Sequence, residues 1–163
     1  MPRFHYVAFL GAAILTGVPS AGAWSQTNPP SNPSSSQPAD SGFKRTPAPA
    51  EAYCYIGWPN NGEVIHSTHF KVWFGVRYFG VAPAGTNKPN TGHHHLLIDT
   101  DLPENMDQAV PNDRNHLHFG AGETEARIEL PPGSHTLQLL LADKDHIPHD
   151  PPVYSKKITV TVK

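Results

Sequence analysis

Ten of the chain's eleven histidines lie beyond residue 60, and seven of them fall into three tight groups. Gly92-His93-His94-His95-Leu96 is the first, His116-Leu117-His118-Phe119-Gly120 the second, and His146-Ile147-Pro148-His149 the third. Ordinary residue usage would give a domain of this size about two or three histidines. Imidazole is the commonest protein ligand for zinc and copper, and its lone pair is free near neutral pH. The chemistry to which these groups point first is therefore binding of a transition metal.

Spacing sharpens that reading. Alternate residues of a β-strand face opposite sides. If Leu117 and Phe119 take the core face of their strand, His116 and His118 leave together on the other, about 7 Å apart. Leu96 and Ile98 fix the core face of the neighbouring segment in the same way, and His93 and His95 then point outward. If the two strands are adjacent, facing residues fall about 5 Å apart, and imidazoles from both reach one ion at roughly 2.0 to 2.1 Å. His146 or His149 completes the set from a proline-stiffened loop, with Asp143, Asp145 and Asp150 as acceptors for imidazole N–H or as hard oxygen ligands. The candidate ligands are thus His93, His95, His116, His118, His146 and His149, and the ion is copper or zinc. A calcium site on the three aspartates is weaker, because the Asp-x-Asp-x-Asp-Gly loop is missing.

The other histidines read as structural. His94 shares a face with Leu96 and Ile98 and is expected in the core with one nitrogen hydrogen-bonded. His135 alternates in phase with Leu137, Leu139 and Leu141 and is expected under the turn at Pro132-Gly133. His66 and His69 flank a turn-like Ser67-Thr68 step. The single cysteine, Cys54, has no internal disulfide partner and is expected to be buried in the Tyr53-Cys54-Tyr55-Ile56 run.

The elements that must hold these residues are strands. Helical periodicity is nearly absent, and short β-rich runs recur between turn signals. Tyr53–Ile56 (with Glu63–His66 as a continuation), Phe70–Phe79, His93–Ile98, Asn115–Phe119, Thr124–Leu130, His135–Ala142 and Lys156–Val162 give about seven. Pro131-Pro132-Gly133-Ser134 reads as a turn. The fold class is all-β, an immunoglobulin-like antiparallel β-sandwich, without the Cys-Trp-Cys spacing of antibody domains.

Upstream, residues 1–23 read as a secretory signal peptide: Met1-Pro2-Arg3, an apolar run from Tyr6 to Val18, and Ala21-Gly22-Ala23 as the cleavage step. Residues 24–50 follow as a disordered linker, since Ser25–Ala50 holds six Pro and six Ser among 26 residues. The folded domain is expected over residues 51–163. The formal charge is −2, or −3 once Arg3 is removed, so no basic face for nucleic acid and no polybasic membrane patch is present. The expected location is periplasmic or secreted, with no membrane insertion after cleavage.

Four strings in order, Gly92-His93-His94-His95-Leu96-Leu97-Ile98-Asp99, His116-Leu117-His118-Phe119-Gly120, Pro132-Gly133-Ser134-His135-Thr136-Leu137-Gln138-Leu139 and Asp143-Lys144-Asp145-His146-Ile147-Pro148-His149, resemble a family of secreted bacterial domains known only as a domain of unknown function. That resemblance implies no activity. The family's usual Gly-Gln-Thr-Glu step is Gly122-Glu123-Thr124-Glu125 here. His116-Leu117-His118-Phe119-Gly120 is also similar to the His-x-His strand pair of copper–zinc superoxide dismutases, but the second cysteine and the late Gly-Asp-Leu-Gly-Asn loop of those enzymes are missing. No serine elbow, phosphate-binding glycine loop or His-Glu-x-x-His motif is present. The expectation is a non-enzymatic metal-binding domain. Its rival is a structural or adhesive module that contacts a cell-envelope protein or glycan through Trp58, Trp73 or Tyr78.

Overall fold

A computed structural model describes residues 44–163. The expected signal peptide and most of the expected linker lie outside the described residues. Nine strands follow in order: β1 (Tyr53–Trp58), β2 (Val64–Ile65), β3 (His69–Arg77), β4 (Gly80–Val81), β5 (Thr91–Ile98), β6 (His116–Phe119), β7 (Glu125–Glu129), β8 (Gly133–Ala142) and β9 (Ile158–Val162). No helix among the described residues is long and apolar enough to cross a membrane.

The strands form two sheets. One runs β1-β3-β7; the other runs β2-β9-β8-β5-β4, with β6 also paired to β5. β4 and β6 share the edge of β5 that faces away from β8, β4 against Thr91 and Gly92, β6 against His94 to Leu97. All seven expected strands are present, and the two-residue β2 and β4 are additions. The segment expected to continue β1 is instead β2, which pairs parallel with β9. β4 and β5 are parallel too, so the sandwich is antiparallel except at these two short contacts. β3 stops at Arg77 because Tyr78 takes a left-handed backbone, φ 57°, which a strand cannot continue through. Gly133 and Ser134, expected in a turn, already belong to β8.

Alternation builds the main core. β3 turns Phe70, Val72 and Phe74 inward and leaves His69 and Trp73 exposed. Cys54 and Ile128 join them from β1 and β7, and Leu96, Ile98, Leu137, Leu139, Leu141, Val160 and Val162 answer from the other sheet. Trp58, expected as a surface contact, packs edge-on against Phe70 with ring centroids 6.1 Å apart. Cys54 is buried as expected, its thiol donating to Val153 O at 3.5 Å.

A second, smaller core changes the picture on the far side of the larger sheet. Leu97 of β5 and Leu140 and Ala142 of β8 pack there with Val110, and Leu102 adds to them. Val110 and Leu102 come from the long connection between β5 and β6, which folds back over the sheet. β5 is consequently buried on both faces from Gly92 to Ile98. The outward face expected for His93 and His95 is real in direction, but it is covered rather than open to water.

The start of the domain also differs from expectation. Residues 45–48, expected as the end of the linker, bond to the β8–β9 connection: Ala48 N–H donates to Asp150 O at 2.9 Å and Asp150 N–H to Thr46 O at 3.0 Å. The ordered body thus begins before Glu51.

Candidate metal centre

The register between β5 and β6 places His95 directly opposite His118, and Leu97 opposite His116. On the other side of β5, His93 faces Ala142 and His95 faces Leu140. His93, His95 and His118 therefore meet on the face covered by the second core. His146 arrives from the turn that follows Ala142. The ring centroids of His93 lie 4.9 Å from both His95 and His118, and those of His95 and His118 are 5.1 Å apart. The His146 ring stands 4.8 Å from His118, 5.0 Å from His93 and 6.0 Å from His95.

Atom by atom, the first three form the tighter unit. One ring nitrogen from each of His93, His95 and His118 lies within 4.8 Å of the others. His93 Nε2 and His95 Nε2 are 3.1 Å apart. Two nitrogens bound to one ion at about 2.0 to 2.1 Å stand roughly 3 to 3.4 Å apart at the usual angles, so this pair is already spaced as ligands of a single cation. His93 and His95 are fully buried, while His118 and His146 are half-buried, giving the cluster a closed floor and a wetter rim.

Its electrostatics keep the rings neutral. Burial, then repulsion from His118 and His146, holds His93 down at about 4. Burial, then the neighbouring His93, His118 and His146, pushes His95 to about 2. His118 is lowered as well, by burial first and His146 second. Neutral rings keep their lone pairs available. His93 Nδ1, His95 Nδ1 and His118 Nε2 are buried without a hydrogen-bond partner among the described residues, a state that costs about 1–3 kcal/mol per group.

Glycines make the room. A Cβ at Gly120 would sit 2.3 Å from His118 Cε1, so a larger residue there would displace the ring. A Cβ at Gly92 would lie 2.7 Å from His149 Nε2 and 2.6 Å from Ala142 O. The Gly-His and His-Phe-Gly adjacencies in the sequence were the available signals for both.

The remaining expected ligands are placed elsewhere. His116 has the phase of His118, but its Nδ1 pairs with Asp113 Oδ1 at 2.9 Å and the residue does not join the triad. His149 lies toward the phase of Gly92, on the opposite face of β5, with its ring 4.8 Å from Phe79 and its Nδ1 3.3 Å from Thr46 O. Of the two loop histidines, the cluster thus receives His146. Asp143 takes backbone N–H groups and the Thr46 hydroxyl rather than an imidazole.

The histidines read as structural sit as expected. His94 is buried against Phe74, ring centroids 5.3 Å apart, with Nδ1 3.1 Å from Glu123 O. His135 lies under the Pro131–Gly133 corner, 2.7 Å from Asp99 Oδ2 and 2.9 Å from Pro131 O. His66 and His69 are exposed, and His69 Nε2 pairs with Glu129 at 3.3 Å.

A family model described as "Domain of unknown function (DUF4399)" matches residues 72–163, a span that contains all four clustered histidines. No curated protein matches the chain, and no solved structure does.

Proposed function

The chain belongs to this domain family, whose description assigns no chemistry, and from the site itself we propose a secreted or periplasmic, non-enzymatic domain that binds copper or zinc for storage, transfer or tolerance. His93, His95 and His118 are the ligands, with His146 beside them. The observation that carries the reading is the convergence of three imidazoles on one face of β5, one ring nitrogen of each within 4.8 Å of the others and the Nε2 atoms of His93 and His95 3.1 Å apart. A shared ion would take one nitrogen from each of the three rings, whereas His94, alone on the main-core face, has the Glu123 carbonyl against its Nδ1. Nitrogen-only ligation suits Cu(II) and Zn(II), with copper the tighter of the two at equal supply.

Isothermal titration of the mature chain with Cu(II), Zn(II) and Ca(II) tests this. One Cu(II) or Zn(II) per chain and no heat with calcium is expected. His93→Ala and His118→Ala, singly and together, then report whether one ion is shared: strong non-additivity supports it, and losses that simply add argue for separate sites. Absence of binding to either transition metal overturns the reading.

The rival reading draws on the outer face of the three-stranded sheet, where Tyr53, Tyr55 and Trp73 are exposed, with Tyr78 just beyond the end of β3. Such aromatics suit contact with an envelope protein or glycan. Retention of the chain on cell-wall material, lost on Trp73→Ala and indifferent to metal, would favour it.

A further inference from the structure

Residues 45–48 lie along the β8–β9 connection. Arg45 Nε donates to Pro148 O at 3.1 Å, and its guanidinium also reaches His149 O. Thr46 Oγ1 donates to Asp143 Oδ2 at 2.5 Å. The last contact ties this segment to the histidine cluster through a single buried carboxylate.

Asp143 is 6% exposed. Its Oδ1 accepts from Asp145 N–H at 2.9 Å and from Ile147 N–H at 3.1 Å, so one oxygen pins the backbone on both sides of His146. His146 N–H donates to Asp143 O at 3.0 Å, and His146 O accepts from Val110 N–H at 2.8 Å. Within this bracket His146 has φ 67°, a left-handed conformation that a non-glycine residue keeps only where its surroundings impose it. That conformation brings its ring to the cluster. The second oxygen of Asp143 has the Thr46 hydroxyl as its side-chain donor, and this donor comes from far outside the turn in sequence.

We propose that residues 45–48 act as a clasp that sets His146 as the fourth ligand of the metal cluster, with Thr46 and Asp143 as positioning residues. The inference rests on the metal reading above and extends it: coordination at the β5 face depends on a segment contributed from the linker side. Removing the Thr46 hydroxyl frees Asp143 to turn, the turn at residues 143–147 relaxes, and His146 leaves while His93, His95 and His118, held by strand pairing, stay. A chain cut or displaced at residues 45–48 would then hold its ion by three nitrogens.

The test uses the full mature chain and Cu(II) as the probe, with affinity from chelator competition and nitrogen count from electron paramagnetic resonance. The wild type should show four nitrogen ligands. Thr46→Val should bind about tenfold more weakly, the scale of one hydrogen bond to a charged group, and should show three. Thr46→Ser should restore both values. In a His146→Ala background, Thr46→Val should have no further effect. Thr46→Ala replaces the valine variant if that one does not fold. A wild type that binds no Cu(II) overturns the clasp, and one that binds no Zn(II) either overturns the metal reading with it. A wild type that binds, with Thr46→Val unchanged in affinity and spectrum or equally damaging without His146, overturns the clasp alone.

Discussion

His95 is fully buried, with His118 as its cross-strand partner and His93 as its same-face neighbour. His95→Ala is therefore expected to lower Cu(II) or Zn(II) affinity by a hundredfold or more, above the roughly 10–100-fold typical of supporting residues. A loss below tenfold in chelator competition would place the ion elsewhere. Gly120 offers a subtler probe, since its added Cβ must push the His118 ring aside. Gly120→Ala should weaken binding nearly as much as His118→Ala does. His135 supplies a pH dependence away from the metal cluster. Burial lowers its pKa, but the Asp99 carboxylate and the Pro131 carbonyl outweigh this and hold it above the ordinary 6.5. A raised folded-state value means that the charged ring stabilises the fold fully below about 6.5 and ceases to do so as pH rises through that higher value. Denaturant unfolding of the wild type and His135→Gln should show a gap that is widest in mild acid and narrows toward pH 9. A gap that widens on the alkaline side would contradict the Asp99 pairing.

At the scale of the element, β5 works because both of its faces are buried. Leu96 and Ile98 enter the main core, and Leu97 joins Leu140 and Val110 in the second. Leu97→Ala should cost about 2–5 kcal/mol in denaturant unfolding, as for other large-to-small changes in a full core. An effect near zero would mean that the β5–β6 connection does not seal that face. Alternation in the sequence was enough to assign the faces of β5 and β6, whereas their adjacency and the choice of His118 over His116 come from the strand pairing and from Asp113. It could not show that residues 99–115 fold back as a cover, because Val110 and Leu102 are isolated apolar residues in a polar stretch. Nor could periodicity choose between His146 and His149. That choice is made by a left-handed turn whose cause is a carboxylate, not a pattern of hydrophobicity. His116 escaped for a similar reason: Asp113, three residues earlier, takes its Nδ1.

For the molecule as a whole, composition blurred the domain's beginning. A Pro/Ser-rich average describes residues 25–50, yet Arg45, Thr46 and Ala48 carry specific donors and acceptors that match the β8–β9 connection. A chain starting at Glu51 should melt at least about 4 °C below one starting at Lys44, the shift expected for roughly 1 kcal/mol in a domain near this size. Equal melting temperatures would mean that the segment adds nothing to the fold. The two-sided burial of β5 has a consequence for how such a protein can change over descent. A single residue gained or lost within the strand would exchange its faces, sending imidazoles into the oily interior and leucines into the ligand pocket. This strand therefore tolerates indels only in pairs. The site can be grafted onto another sandwich only together with the half of the interior that shares its backbone.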